Sequence, residues 1–177
     1  MFRPAIEGAG RQVKIISGGQ TGVDRAALDV ALKHGIACGG WCPAGRLDEF
    51  GRIPDRYPVK ELEHGGFTDR TLQNVKDSDG TVIIYFNDLR GGTAETVRFC
   101  AEQQRPYKLI DASDIRPEPA ADVIASFVRD EKIITLNVAG PRQSEWPGGY
   151  DYAFRVLDIF AMSIDSSTSK SRIKSKR

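Results

Sequence analysis

A glycine-rich polar turn lies between an apolar run and a helical pattern near the start of the chain. The turn is Ser17-Gly18-Gly19-Gln20-Thr21-Gly22, and two charged residues follow it at the predicted start of a helix. At such a turn, backbone N–H groups and the positive end of the helix dipole point at one place and favour an anion there. The residues therefore predict a phosphate or other anion site contacted by Gly18, Gly19, Gln20, Thr21, Gly22, Asp24 and Arg25.

This turn differs from two common nucleotide-binding motifs. The dinucleotide fingerprint requires G-x-G-x-x-G, and Ser17 occupies the position of the first glycine. The acid that binds the ribose in such folds, about twenty residues further on, has no counterpart in residues 37–42. The chain also has no G-K-[ST], so it lacks the P-loop lysine. The pattern disfavours NAD and excludes ATP hydrolysis of the P-loop type.

Two further polar turns follow predicted strands. One is Gly91-Gly92-Thr93-Ala94-Glu95 and the other runs from Asn137 to Ser144. Because ligands of open α/β sheets bind outside the carboxyl ends of the strands, a pocket shared with the first turn is expected. Arg142 is the strongest candidate, since a guanidinium grips oxyanions through charge-assisted hydrogen bonds. The predicted contacts from these turns are Gly91, Gly92, Thr93, Asn137, Gly140, Arg142 and Ser144.

The order of the predicted elements indicates the fold class. Helical periodicity covers residues 23–33, 69–77, 94–104, 120–129 and 149–164, and apolar strand-like runs lie between these segments. Such alternation predicts an α/β fold, a single Rossmann-like, doubly wound, mostly parallel sheet with helices on both faces. Residues 43–58 form an irregular connection, and loops of that length are usually functional or mobile.

Length and composition bound the organisation of the protein. The 177 residues are enough for one core, which we place at residues 12–165 between a flexible start, 1–11, and a basic, disordered tail, 166–177. Residues 1–169 carry 20 basic and 24 acidic residues, so only the tail is basic and no specific nucleic-acid partner is expected. No apolar stretch resembles a membrane span or a signal peptide, which predicts a cytoplasmic protein without a membrane partner.

Cysteine and tryptophan residues give weaker signals. Cys38 and Cys42 have a zinc-like spacing, but no second pair follows them, so buried thiols and no metal site are predicted. Trp41 and Trp146 either stack on a flat ring of a ligand or belong to the core.

Several segments resemble the family named putative molybdenum carrier proteins, relatives of the molybdenum cofactor carriers. The resemblance covers residues 13 to about 160 in order and lies in S-G-G-Q-T-G-V-D-R-A-A-L-D (17–29), G-G-W-C-P-x-G-R (39–46), I-P-x-R-Y-P (53–58), G-G-T (91–93) and N-V-A-G-P-R-x-S (137–144). It implies a Rossmann-like fold related to the Lonely guy phosphoribohydrolases. It also implies a homo-oligomer, a dimer or tetramer, with molybdenum cofactor or a nucleotide as the bound ligand.

The residues and the resemblance leave three functions open. The first is a binding protein for a phosphorylated heterocycle, without catalytic residues of its own. The second is a hydrolase of the phosphoribohydrolase type with Glu95 or Asp24 as acid or base, although R-G-G-T-A-E (90–95) departs from the P-G-G-x-G-T-x-x-E motif of those enzymes. The third is a nucleotide-sensing module that acts through partners.

Overall fold

The structure is a computed structural model that describes the backbone of residues 13–174 and the side chains of residues 13–164. Within this range the chain forms nine strands and five helices. In chain order they are β1 (Lys14–Ile16), α1 (Val23–Lys33), β2 (Cys38–Gly39), β3 (Trp41–Cys42), β4 (Leu47–Asp48), β5 (Gly51–Arg52), β6 (Lys60–Glu61), α2 (Phe67–Lys76), β7 (Gly80–Tyr85), α3 (Gly91–Glu102), β8 (Tyr107–Asp111), α4 (Pro117–Asp130), β9 (Thr135–Ala139) and α5 (Gly149–Lys174).

Five of the strands form the central sheet, in the order β2-β1-β9-β7-β8, and all their pairings are parallel. The last strand, β9, lies between β1 and β7, with Leu136 opposite Ile15 and Val138 opposite Val82. The chain winds from β1 outward to β2 and from β7 outward to β8, in opposite directions along the sheet. The carboxyl ends of β1, β9 and β7 are therefore adjacent where the winding direction changes.

Helices cover both faces of the sheet, as the alternating pattern predicted. On one face α1, α4 and α5 pack together over a large core to which Val82 and Ile84 of β7 belong. On the other face α2 packs against α3, with Val75 and Phe99 in a smaller cluster. Because both faces are covered, β7 is a continuous apolar run rather than an alternating one. The predicted Rossmann-like α/β fold is confirmed.

The strand-like run after the first predicted helix is split into β2 and β3 at Gly40. A Cβ on Gly40 would lie 2.0 Å from the carbonyl oxygen of Ser17, and the residue has φ 123°, so glycine is needed there. After this bend β3 leaves the central sheet and pairs with β6. The split therefore diverts the chain into the long connection that covers the edge of the sheet.

That connection, residues 43–59, contains the β4–β5 hairpin and is held from within. The Arg46 guanidinium donates to the carbonyl oxygens of Pro54, Tyr57 and Val59 at 3.1, 3.0 and 2.8 Å. Tyr57 and Val59 are buried in a small apolar cluster together with Ile53. Arg46 thus supplies hydrogen bonds to carbonyl groups that have no strand partner in this irregular segment.

The last helix is longer than predicted, because α5 continues past Ile164 to Lys174. Residues 166–174 of the predicted disordered tail are helical for this reason, and residues 1–11 and 175–177 lie outside the described part of the chain. Among the described residues, no helix combines the length and the apolar character needed to cross a membrane.

Candidate functional site

The three polar turns meet at the carboxyl edge of the sheet, where β9 between β1 and β7 brings them together. They line a cavity of about 60 Å³ with Asp24 from the first turn, Thr93 from the second and Arg142 from the third. A fourth segment, helix α2, contributes Phe67 and Arg70. Pockets that enclose a whole small molecule measure about 300–1,000 Å³, so this cavity suits one ionic group rather than a complete ligand.

The first turn is buried, and the polar groups of Gln20 and Thr21 have partners within the protein. Thr21 N–H donates to the side-chain oxygen of Gln20 at 3.0 Å, and Val23 N–H donates to the carbonyl of Pro141 at 3.4 Å. Gly19 faces Ile53 rather than open space, and a Cβ on Gly22 would lie 2.5 Å from the Pro141 carbonyl oxygen. The role of this turn in binding a ligand stays a prediction, with Gln20 the member that lines the cavity.

Glu49, at the tip of the β4–β5 hairpin, bonds two of the predicted contacts. Its carboxylate accepts hydrogen bonds from the hydroxyls of Thr21 and Ser144 and, at 3.1 Å, from Ser144 N–H. Its own N–H donates to Gln20 at 2.9 Å. Burial raises the pKa of Glu49, but the bonds from Ser144 and Thr21 outweigh burial and hold it below its usual value. The Glu49 carboxylate thus accepts the hydrogen bonds of Thr21 and Ser144, which were expected from the sequence to go to a ligand.

Arg25 also holds the hairpin. Its guanidinium donates to Asp48 at 2.8 Å and to the carbonyl of Gly19 at 3.0 Å, and it lies over the ring of Tyr57 at 4.7 Å. Among the described side chains its Nε is a buried atom without a hydrogen-bond partner. Arg25 therefore connects the first turn to the β4–β5 hairpin, a structural role that could not be inferred from its position in the motif.

Asp24 is almost fully buried and pairs with Arg70 of α2. The carboxylate accepts a bond from Arg70 at 3.0 Å and another from the Gln20 N–H. Burial raises the pKa of Asp24, whereas Arg70 and the Gln20 N–H oppose that rise. Gly18 makes the pair possible, because a Cβ there would lie 1.7 Å from Arg70 Nη1. The glycine therefore makes room for an arginine of the protein itself.

The second turn is the open one. Gly91 and Gly92 begin α3, and the first N–H groups of a helix have no partner within the helix. A Cβ on Gly92 would meet nothing within 4 Å, and one on Gly91 would meet only Glu145 Oε1, at 3.7 Å. Thr93 is 4% exposed and lines the cavity, and its Oγ1 has no hydrogen-bond partner among the described residues.

Glu95, the candidate acid or base, also lines the cavity. Its carboxylate accepts a bond from Thr68 at 3.1 Å and faces Arg98 at 3.4 Å. The carboxylate is thus tied to α2 and to its own helix, while Asp24, the other candidate, is tied to Arg70.

The third turn contributes Arg142, whose role in binding a ligand stays a prediction. Arg142 is about one-third exposed, forms an ion pair with Glu145 at 3.3 Å and lies over the ring of Phe67 at 5.8 Å. Gly140 lines the cavity as well. Asn137 points elsewhere, because its amide donates to Thr81 in the neighbouring strand at 3.2 Å. Arg142 is therefore the predicted contact with the most accessible charge.

A larger cleft adjoins the cavity and shares Glu145 with it. The cleft measures about 400 Å³, and its walls include Phe86 and Trp146. Trp41 lies apart, since its indole N–H donates to Asp77 at the end of α2. Of the two tryptophans considered for ring stacking, only Trp146 is near the site.

Several residues in and around the cavity were not expected from the sequence, among them Arg70, Glu145 and Glu49. A signal for Arg70 does exist. The inner side of α2 has polar residues at helical spacing, Arg70, Thr71 and Asn74, where an apolar stripe would be usual. Glu49 has no such signal, because a carboxylate in an irregular loop is ordinary. The described residues include no group of three or more His, Cys, Asp or Glu that could hold a metal ion.

The fold and the site define a Rossmann-like α/β protein with a polar pocket where the winding of its sheet changes direction. Residues 15–161 match the model of the circularly permutated YpsA SLOG family, and the chain belongs to that family. A solved structure described as a putative molybdenum carrier protein, from Syntrophus aciditrophicus SB, is 46% identical to it. That similarity covers 85% of this chain and 96% of the other, with a TM-score of 0.83. None of the curated proteins matches.

Proposed function

We propose that this protein binds a phosphorylated heterocycle, molybdenum cofactor or a nucleotide, at the carboxyl edge of the sheet and releases it chemically unchanged. The observation that carries the proposal is the Thr93 hydroxyl, buried and without a partner at the open N-terminus of α3. A buried polar group without a partner is costly, so a ligand oxygen that accepts its bond would be favoured. Family membership and the name of the similar structure support a carrier role.

The surrounding groups suit the phosphate end of either ligand. The N-terminus of α3 attracts negative charge, and Arg70 and Arg142 line the same cavity. The Arg142 guanidinium is partly available to a ligand, because its ion pair with Glu145 is partly exposed to solvent and contributes little stabilisation by itself. An arriving phosphate would take over that guanidinium through stronger charge-assisted bonds.

Phosphate binding, measured by isothermal titration calorimetry, tests the proposed site. Thr93→Val removes the unpartnered hydroxyl with little change in shape, so folding should be unaffected while affinity falls. A hydrogen bond to a charged group contributes about 1.5–3 kcal/mol, so affinity should fall roughly ten- to a hundredfold. Arg142→Ala should lower affinity by a similar factor.

The matched control is Thr96→Val, one turn further along α3. The Thr96 hydroxyl also borders the cavity, but it donates to the Gly92 carbonyl at 2.8 Å and is not free for a ligand. Its replacement should leave phosphate affinity within about twofold. Equal affinities for the parent protein and Thr93→Val would remove the α3 terminus from the site.

A hydrolase is the second candidate, favoured by the position of Glu95 beside the cavity. Against it, Glu95 and Asp24 are both tied to other side chains. We therefore expect that incubation with AMP, GMP or IMP releases no free base. Chromatography of the reaction mixture measures this. Base release by the parent protein that disappears in Glu95→Gln would overturn the carrier proposal, since an acid/base group contributes about 10² to 10⁴ in rate.

Native mass spectrometry of the purified protein, combined with elemental analysis for molybdenum, would identify the cargo. A co-purifying phosphorylated species of unchanged mass after release is the expected result. A nucleotide without molybdenum would favour the nucleotide over the molybdenum cofactor.

A further inference from the structure

The cleft of about 400 Å³ beside the anion cavity has a distinct chemical character. It lies where β7 and β9 end, and it combines two aromatic rings, Phe86 and Trp146, with two carboxylates, Asp88 and Glu145. Glu145 lines both this cleft and the cavity at the start of α3. A single molecule with an anionic group and a second, larger part could therefore occupy both spaces.

Phe86 is placed as a stacking surface. It directly follows the buried strand β7, yet it is 52% exposed. Its ring is stacked on Trp146, with centroids 5.7 Å apart and an interplanar angle of 30°, and Trp146 in turn contacts Tyr152 at 5.8 Å. Trp146 and Tyr152 are partly buried against the large core and hold the ring of Phe86 in place, so one aromatic face stays available at little cost in ordering.

The two carboxylates of the cleft determine which hydrogen-bonding groups a bound ring should carry on its edge. An ionised carboxylate only accepts hydrogen bonds and has two oxygens side by side. A 2-amino-4-oxopyrimidine ring, as in guanine and in pterins, offers two adjacent N–H donors that match this pair of oxygens. Adenine offers an acceptor where the second donor is needed. Glu145 would become free for this task when a phosphate takes over Arg142, its partner at 3.3 Å.

We propose that the Phe86–Trp146 cleft binds the planar ring of the ligand and selects a 2-amino-4-oxopyrimidine edge through Glu145. This rests on the proposed function, since it assumes that the phosphate occupies the adjoining cavity. The shared chemistry has two sources, guanine nucleotides and phosphorylated pterins.

Binding of four compounds and of inorganic phosphate, measured by calorimetry, tests the proposal. GMP and 6-hydroxymethylpterin phosphate should bind more tightly than IMP, which lacks the 2-amino group, and much more tightly than AMP. Whichever of GMP and the pterin phosphate binds more tightly identifies the source of the ligand. A hydrogen-bonding site typically rejects an analogue that leaves its polar group unpaired, so we expect roughly tenfold or more between GMP and AMP.

Variants separate the ring site from the anion site. Phe86→Ala should lower the affinity for GMP roughly tenfold, which is the usual effect of removing one aromatic side chain from a stacked base. The affinity for inorganic phosphate should not change. Phe86→Leu keeps the apolar bulk but lacks the aromatic ring, so it should show the same loss of GMP affinity. It replaces Phe86→Ala in the test if the alanine variant folds poorly. Glu145→Gln should abolish the preference for GMP over AMP. Tyr107→Ala is the matched control, since Tyr107 is an exposed aromatic residue on β8, outside the cleft.

The outcomes distinguish the two proposals. Phosphate binding with no preference for GMP over AMP, or with GMP affinity unaffected by both Phe86 variants, overturns the ring site and leaves the anion site standing. Loss of GMP and phosphate binding together in Thr93→Val, with Phe86→Ala affecting GMP alone, supports both. Failure of the parent protein to bind phosphate, GMP and the pterin phosphate overturns the proposed function itself.

Discussion

At the scale of single residues, the buried pair of Asp24 and Arg70 is the most consequential contact of the site. Asp24 is 2% exposed and Arg70 is 13% exposed at its side chain, so neither charge is well hydrated. Arg70→Met would leave the carboxylate buried without its counter-ion. Removing one partner of a buried pair costs about 3–5 kcal/mol, and we expect a loss of that size in urea unfolding at pH 7.

The pH dependence of this variant identifies Asp24 as the cause. Burial raises the pKa of Asp24 in the folded chain, and loss of Arg70 removes an effect that opposes the rise. The folded state then holds a proton at pH values where the unfolded state, with a pKa of about 3.9, has lost it. The stability deficit of Arg70→Met should therefore shrink as the pH falls from 7 towards 4. The double variant Asp24→Asn/Arg70→Met should show no such recovery, and an equal recovery there would point to another group.

At the scale of elements, the β4–β5 hairpin is fastened to the first and third turns by Glu49. Its carboxylate is bonded by Thr21, which follows β1, and by Ser144, which follows β9. Glu49→Gln should loosen the hairpin, and amide hydrogen exchange of residues 47–52 and of Ser144 should become severalfold faster. Asp55→Asn is the control, because that carboxylate of the same loop is 80% exposed. Equal exchange in both variants would contradict the fastening role.

The same contact has a defined dependence on pH. The pKa of Glu49 in the folded chain is lower than its usual value, so the contact stabilises the fold above the unfolded pKa of about 4.3. This contribution is lost as the pH falls through the lowered pKa of the folded state. The carboxyl carbon of Glu49, followed by NMR during an acid titration, should report a midpoint below 4.3, and a midpoint at or above that value would contradict the bonding pattern.

At the scale of the whole molecule, α5 packs against α1 and α4 and contributes several side chains to the large core. Phe160 of α5 is fully buried in the large core, whereas Met162 on the same helix is 49% exposed. Phe160→Ala should cost about 3–5 kcal/mol of unfolding free energy, because a large buried side chain leaves a cavity. Met162→Ala should change stability by less than about 0.5 kcal/mol. Chemical denaturation measures both, and similar losses would mean that α5 packs differently.

The state of assembly is also a property of the whole molecule. The resemblance to molybdenum carrier proteins implies a homo-oligomer, and we expect light scattering after size exclusion to give two or four times the 19.5 kDa of one chain. Leu109 on the edge strand β8 is an exposed apolar side chain of the kind that such contacts cover. A mass of one chain at micromolar concentration would contradict this expectation.

The sequence by itself determined the class of fold, the order of its helices along the chain and the three polar turns that line the cavity. These follow from local information, since helical and strand-like periodicity arises within ten or so residues and parallel strands place their carboxyl ends at one edge. Gly92, Thr93 and Arg142, which line the cavity, could be named in advance for the same reason, because a turn after a strand and the start of a helix can be recognised in the residues themselves.

The tertiary structure alone decided which of those turns is open. Arg70 meets Asp24 across 46 residues, and Glu49 meets Ser144 across 95. Pairings so distant in sequence depend on how helices and loops pack over the sheet, and no local pattern encodes them. These pairings engage Asp24, next to the first turn, and Ser144 of the third turn, while the Thr93 hydroxyl at the start of α3 has no partner among the described residues. Packing thus distinguishes, among the three turns that line the cavity, the one at the start of α3, where a buried hydroxyl has no partner among the described residues.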